Sequence, residues 1–295
     1  MRVTPTIQNR IFLENLVQTK TRLDKSQAEI ATGKRVNELV DDPYAAARAS
    51  DISAVSTVNE EFVSNNDHLK GKLEFVDTAL QQMIRAIDEA RVLAARALSG
   101  TTDPQSRAAL AIGVDGVKKE ILSTSNAQYD GVFLFSGTQR PAGAAFTDTG
   151  ATITYDGNDE AIYQRLDRTT TIQTNITGQQ LFMNSPNVFT TLDNLKTAIQ
   201  NDQVSNIQAE LANLESLSDR LNTVSAINGT RMNEIDGVQS RLKDQNLALQ
   251  KDSSRLTDAN LVESISTYNL ANQAVNVSLS SQAKIQQLSL IDYLR

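Results

Sequence analysis

The chain has 295 residues, of which 40% are hydrophobic and 5% aromatic, and it contains neither tryptophan nor cysteine. Without cysteine it can form no disulfide, thiolate nucleophile or cysteine-based metal site. A net charge of -7 without a Lys/Arg cluster argues against nucleic acid as a partner. No apolar run is long enough for a membrane span, and the N-terminal residues lack the apolar centre of a cleavable signal peptide. The few aromatics favour long helices packed side by side.

A weak coiled-coil pattern runs from residue 6 to residue 31. Its positions follow alternating steps of four and three, and Thr19 and Ser26 fill two of them. Gly33 comes next, where a helix can end because a left-handed backbone costs little without a Cβ. We therefore expect the first helix to stop there. The apolar members of its seam are Phe12, Leu16, Leu23 and Ile30.

The residues after this helix are predicted to form a linker to a second, longer helix. Asp42 suits an N-cap because its carboxylate can accept hydrogen bonds from free backbone N–H groups. Pro43 suits the first helical position, where a missing N–H costs nothing. The helix should continue to about residue 98, because apolar residues keep the four-three alternation from 69 to 97. The predicted linker positions are Gly33, Asn37, Asp41, Asp42 and Pro43.

The middle of the chain alternates between helical and β-prone patterns. A third helix is predicted from Pro104 to about residue 126, and the run YDGVFLFSG at 129–137 then leaves the helical pattern. Short β-branched runs between 139 and 187, with Asp156-Gly157 as a hairpin turn, predict a small β-rich insert. Helical patterns return near Val188 and continue to residue 256, so at least four central helices are expected.

The last segment, 257–295, carries two apolar stripes that polar residues interrupt, and in this it is like the first helix. From the two stripes we take as interface positions Leu261, Ile265, Tyr268, Val275, Leu279, Leu288 and Ile291.

The order of these elements suggests a chain that runs outward and returns, with its two ends side by side. We expect a mainly α protein, a long antiparallel helical bundle or coiled coil built from both chain ends, with a small β-rich inserted domain. Three domains are predicted: terminal helices at 1–41 and 257–295, a central helical bundle at 42–138 and 188–256, and the β-rich insert at 139–187.

The terminal helices should be only marginally stable by themselves. A seam of three aliphatic side chains plus Phe12 is worth about 6 to 12 kcal/mol even when fully buried. Ordering the backbone costs about 1 to 2 kcal/mol for each residue. We therefore expect these helices to gain stability when further copies of the chain cover their remaining surface.

Enzyme chemistry finds little support in the sequence. His68 is the single histidine, it lies in a helical context, and no nucleophile elbow is near it. The stretch GVDGVKK at 113–119 lacks the spacing and the Gly-Lys-Ser/Thr of a phosphate loop. We expect no catalytic site, no cofactor and no metal.

Segments at both ends and in the middle of the chain together resemble the flagellin superfamily, in the expected order. EIATGKRVNELVDDPYAAARAS at 29–50 is similar to the family's passage from the innermost terminal helix to the next domain. NAQYDGVFLFSGTQ at 126–139 is similar to the segment after the family's central helices, and ITYDGND at 153–159 with TIQTNITGQQLF at 171–182 is similar to its β insert. The C-terminal helix is similar to the family's C-terminal helix. The form DDP and the ending LSLIDYLR resemble the members at the hook-filament junction, although Ile291 stands where that pattern usually has Phe.

The resemblance implies a structural protein that is exported unfolded through the growing flagellum and resides, extracellularly, at the hook-filament junction. It implies a ring of subunits, commonly eleven, that forms a thin layer and templates filament assembly. The implied partners are further copies of the chain, hook-associated protein 1, filament flagellin and a cytosolic export chaperone that binds the C-terminal helix. It also implies terminal helices that form the inner tube only on assembly.

Two other interpretations remain open from the sequence. The chain could be a short flagellin that builds the filament itself, which predicts long filaments from the purified protein alone. It could instead be a coiled-coil adaptor of the signalling type, which predicts terminal helices that are folded in the isolated monomer.

Overall fold

A computed structural model of the chain describes residues 5–99, 103–150 and 152–293, and in these ranges the protein is mainly α-helical. Side chains are described except at 5, 6, 8 and 285–293. The predicted helix break after residue 98 falls partly on 100–102, outside the described residues. The helices are α1 (Pro5–Thr32), α2 (Pro43–Ala97), α3 (Pro104–Ser125), α4 (Val188–Gln200), α5 (Val204–Thr257) and α6 (Leu261–Tyr293).

Helix ends follow local signals in the sequence. Gly33 has φ +71°, and its N–H donates to the Glu29 carbonyl at 2.9 Å, which ends α1. Pro43 begins α2 as predicted. Asp103 caps α3 by accepting a hydrogen bond from the Ser106 N–H at 2.6 Å. The predicted ends at Gly33 and Pro43 are therefore confirmed.

The strands are short and pair only with their neighbours in the chain. They are β1 (Gln128–Tyr129), β2 (Val132–Phe133), β3 (Phe146–Asp148), β4 (Ile153–Tyr155), β5 (Tyr163–Arg165) and β6 (Thr171–Gln173). Antiparallel pairs join β1 to β2, β3 to β4 and β5 to β6. The first pair precedes the predicted β-rich insert and the other two lie inside it. A π-helical turn at Gln179–Met183 then leads toward α4.

The predicted hairpin turn at Asp156-Gly157 is wrong. These residues follow β4, and the Asp156 N–H donates to the Ala145 carbonyl at 2.9 Å instead of closing a turn. The chain instead turns between β3 and β4, where Gly150 has φ +85° and its N–H donates to the Asp148 carboxylate at 2.8 Å. An Asp-Gly pair marks a site that tolerates a turn, but the pairing of the strands decides which such site is used.

Contacts between residues divide the chain into two compact units, 1–59 with 244–295 and 60–243. The divisions fall inside α2 and α5, and not at the predicted linker positions 41/42 and 256/257. The predicted separation into three domains, with the β-rich segment 139–187 by itself, remains a prediction.

Unit 60–243 contains a large apolar core. Side chains from α2, α3, α4 and α5 form one cluster with phenylalanines of the β-rich segment. Phe182 packs edge-on against both Phe135 and Phe146, with ring centroids 5.5 and 5.1 Å apart. The largest fully buried helical side chains of this cluster include Leu80, Met83, Ile87, Ile121, Leu192 and Leu195.

A second apolar cluster in this unit joins the β5–β6 hairpin to α2 and α5. Leu166 and Ile172 of the hairpin are buried in it. The Asn66 amide of α2 donates to the Leu166 carbonyl at 2.9 Å, and Asp167 in the hairpin turn pairs with Arg241 of α5. The β-rich segment is therefore fastened to the helices by apolar and polar contacts.

Unit 1–59 with 244–295 has a much smaller core. Val36, Ala45 and Ile52 are buried, and Asn59 of α2 donates to Asn246 of α5 at 3.0 Å. Among the described side chains of α1 and α6, Ala271 is the one apolar residue that is buried. The pair of terminal helices thus buries little apolar surface within one chain.

Candidate functional site: the terminal helices and their linker

Helices α1 and α6 pack together along the predicted seam of α1. The buried residue of this seam is Ser26, whose hydroxyl donates back to the Arg22 carbonyl at 2.9 Å. The apolar positions predicted as the seam face the same side but are only half-buried. They are Phe12, Leu16, Leu23 and Ile30.

The face of α6 that packs on α1 is made mostly of small and polar residues. Ser264 and Ala271 are buried, and the half-buried Tyr268 and Val275 continue the same four-three spacing. Hydrogen bonds join the described parts of the helices: Ser264 donates to Glu29 at 2.7 Å and Gln282 donates to Asn9 at 2.9 Å. These contacts place the two helices antiparallel. Of the predicted positions, Tyr268 and Val275 lie on the same stripe of α6 as the buried Ser264 and Ala271.

Large apolar side chains of α6 remain exposed. Leu261, Ile265 and Leu279, predicted on the same stripe as Tyr268, are 47%, 48% and 50% exposed. Helix α1 also exposes aliphatic side chains on its other faces. Such apolar exposure along both helices is typical of surfaces that another molecule covers. The side chains of Leu288 and Ile291 lie outside the described part of the chain.

The linker after α1 contains a tight turn at 38–41. The Asp41 N–H donates to the Glu38 carbonyl at 3.1 Å. The Asp41 carboxylate accepts the N–H groups of Asn37 and Glu38, each at 3.1 Å, and pairs with Lys25 at 3.1 Å. The bond from the Glu38 N–H is the largest cause that lowers the pKa of Asp41. Asp41 therefore fixes the turn and ties it to α1.

Asp42 performs the capping role that the sequence predicts. Its carboxylate accepts the Ala45 N–H at 3.0 Å, and this bond is the main cause that lowers its pKa. Arg35 pairs with the same carboxylate at 3.1 Å and also donates to the Leu256 carbonyl at 2.9 Å. One guanidinium thus joins the start of α2 to the end of α5.

The two breaks in the helical chain are hydrogen-bonded to each other. The Arg35 N–H donates to the Thr257 carbonyl at 2.7 Å, and the Ala259 N–H donates to the Gly33 carbonyl at 2.9 Å. Lys34 and Asp258 form an isolated antiparallel bridge between these bonds. The residues that end α1 and α5 therefore form one two-stranded junction.

Sequence reasoning identified Gly33, Asn37, Asp41, Asp42 and Pro43 as linker positions, and the structure places all five in or beside the first break. It missed Arg35 and the bridge to Asp258. Asn260 is the one local signal of the second break, because Asn is favoured directly before a helix. Its carbonyl accepts the Ser264 N–H of α6 at 2.9 Å. Pairing between segments more than 200 residues apart leaves no local signal.

The single histidine lies at the surface of unit 60–243. His68 is exposed and lines a groove of unit 60–243 together with Lys72 and Arg140. Burial lowers the pKa of Lys72. The described residues hold no group of three or more His, Asp or Glu placed to bind a metal ion. None of their helices combines the length and apolarity needed to cross a membrane.

Known flagellar proteins are similar to this chain in sequence. The family described as "Bacterial flagellin N-terminal helical region" matches residues 6–140. Flagellar hook-associated protein 3 of Salmonella typhimurium is 24% identical over 320 aligned residues, which cover 100% of both chains. The chain is thus similar to flagellins over residues 6–140 and to a hook-associated protein along its full length.

Further similarities agree with this result. Flagellin FljO of Caulobacter vibrioides is 27% identical over 291 residues, or 94% of each chain. The solved structure of a flagellar hook-associated protein from Vibrio parahaemolyticus superposes with a TM-score of 0.70 at 22% identity. That match covers 74% of this chain and 100% of the other, and it supports the helical fold with a small β-rich segment.

Proposed function

We propose that this chain is a member of the flagellin superfamily and a structural junction protein of the bacterial flagellum. It assembles as a thin layer between hook and filament and templates filament assembly. The observation that carries this proposal is the similarity to a hook-associated protein 3 along the full length of both chains. The function is that of an extracellular structural component, not of an enzyme.

The terminal helices are the proposed assembly surface. Within one chain their large apolar side chains are half-buried or exposed, so neighbouring copies provide the cover that one chain lacks. A closed ring of subunits, commonly eleven in the family, satisfies this need for every copy. The proposed interface positions are Phe12, Leu16, Leu23, Ile30, Leu261, Ile265, Tyr268, Val275, Leu279, Leu288 and Ile291.

The proposed neighbours follow from the place of the layer. Hook-associated protein 1 lies below it and filament flagellin above it. A cytosolic chaperone covers the C-terminal helix before export, because an exposed stripe that includes Leu279 would otherwise aggregate. The linker at 33–43 then separates the assembling helices from the rest of the chain.

A charge placed on the exposed stripe of α6 tests this proposal. Leu279→Asp buries an unpaired carboxylate in any interface that forms there, which opposes assembly strongly. We expect at least a roughly tenfold loss of the protein from isolated hook-filament structures, with detached filaments and unchanged folding of unit 60–243 by circular dichroism.

Ser281→Asp is the matched control, because it places the same charge on an exposed polar position of the same helix. This variant should assemble as the natural chain does. Normal filament attachment in the Leu279→Asp variant would contradict the proposed assembly surface.

A second candidate is a short flagellin that builds the filament itself. The similarity to Flagellin FljO over 94% of both chains favours considering it. Electron microscopy of the purified protein separates the two functions. Long filaments that grow without a hook would favour the flagellin, whereas short rings or monomers would favour the junction protein.

A further inference from the structure

The turn at 38–41 places two apolar residues at its tip. Leu39 and Val40 occupy the central positions and are 67% and 86% exposed. Central turn positions are usually taken by Asn, Asp, Gly, Ser or Pro. Two exposed aliphatic residues are therefore unfavourable here unless another surface covers them.

The turn is held in place before any partner binds. The Asp41 carboxylate accepts two backbone N–H groups and pairs with Lys25, and the Asn37 amide donates to the Lys34 carbonyl at 2.9 Å. A feature already held in its binding conformation loses less entropy on association. The tip thus resembles a rigid knob rather than a free loop.

The same unit contains a groove that fits such a knob. It measures about 270 Å³ and lies between the start of α2 and the end of α5. Its apolar walls are formed by Ile52, Leu249 and Leu256, and Tyr44 stands at its side with 76% exposure. The chain's own Leu39 and Val40 do not fill it, since both are exposed.

Charge also matches the two surfaces. Glu38 precedes the tip, whereas Arg48 and Arg255 line the groove. Arg255 already pairs with Asp252, so Arg48 supplies the additional positive charge. An acidic residue beside the knob and a basic one beside the groove favour one orientation of approach.

We propose that the Leu39–Val40 tip of one copy inserts into the Ile52–Leu249–Leu256 groove of the next copy. Because knob and groove are different surfaces, the contact is head-to-tail, and repetition generates a ring or a helical layer instead of a closed dimer. The inference rests on the proposed function, which requires copies of the chain to assemble, and it names a contact outside the stripes of α1 and α6.

Disulfide trapping tests the contact, since the natural chain contains no cysteine. The variant Leu39→Cys/Leu249→Cys is expressed in the bacterium that makes the protein, and isolated hook-filament structures are oxidised. We expect a ladder of two or more chains, each of 32.2 kDa, on a non-reducing gel. The ladder should disappear on reduction.

The control pair is Leu39→Cys/Leu247→Cys, because Leu247 lies on the same helix, is 51% exposed and does not line the groove. This pair should stay mostly at the mass of one chain, with at least about tenfold less ladder. Single-chain bands alone from the Leu249 pair, an internal disulfide in it, or equal ladders from both pairs would overturn the inference.

A charge exchange covers the case in which the cysteine variant does not assemble. Glu38→Lys and Arg48→Glu should each reduce incorporation about three-fold, and the double variant should restore it. Additive losses in the double variant would overturn the contact. The position of the natural protein on the flagellum tests the proposed function separately. A disulfide ladder together with protein spread along the filament would support the contact but reject the junction function.

Discussion

Replacing Leu195 by Ala tests whether stability lies in unit 60–243. Leu195 is 0% exposed on α4 within the large apolar cluster. Truncating such a side chain costs about 2 to 5 kcal/mol, because transfer energy is lost and a cavity remains. For a unit of this size each kcal/mol shifts the melting temperature by about 2 to 4 °C. A loss of about 3 kcal/mol therefore lowers it by about 6 to 12 °C.

The matched variant is Leu23→Ala on α1, which removes the same atoms from a half-buried position in the other unit. Scanning calorimetry of the purified monomer should show the main transition lowered by Leu195→Ala and unchanged by Leu23→Ala. Ile112→Ala, at a position 72% exposed, controls for the loss of an aliphatic side chain. Equal shifts of one transition by the Leu195 and Leu23 variants would refute separate stabilities.

Three further predictions follow from single contacts or helices. Lys196 and Lys119 lower the pKa of Asp115 to about 2. The stability that the charged Asp115 contributes is therefore present above the ordinary carboxyl pKa of about 3.9 and is lost as pH falls toward 2. Acid unfolding of the Asp115→Asn variant should depend less on pH over that range, and an unchanged pH dependence would contradict the pairing. Arg220 donates hydrogen bonds to four carbonyls between 181 and 186. Arg220→Met should therefore lower the free energy of unfolding, measured in urea titrations, by about 1 to 3 kcal/mol. An unchanged free energy of unfolding would show that these hydrogen bonds do not stabilise the protein. In the monomer, backbone amides of α1 and α6 should exchange hydrogen before those of α2 beyond Pro43, and they should become protected on assembly. Amides of α1 and α6 that are already protected in the monomer would favour a signalling coiled coil.

The helices could be predicted well because their ends depend on neighbouring residues. Gly33 ends α1 through its own φ, and Asp42 caps α2 through a carboxylate three residues from the amide that it accepts. Such signals lie within one turn of the helix and need no knowledge of the fold. The linker positions of the candidate site were predicted for the same reason.

The features that local signals could not predict depend on distant contacts. The chain turns around Gly150 and not at Asp156-Gly157, because the pairing of Phe146 with Tyr155 sets the register of β3 and β4. On α6, sequence spacing grouped Leu279 with Tyr268, but the face toward α1 is built from smaller residues such as Ala271. A hydrophobic pattern counts apolar residues and does not say whether the same chain or another covers them.

The position of the protein on the flagellum tests the central claim most directly. The natural chain can be labelled with an antibody and viewed by electron microscopy on intact hook-filament structures. The proposed function predicts one thin band at the boundary between hook and filament. Label along the whole filament, or none on the flagellum, would contradict it.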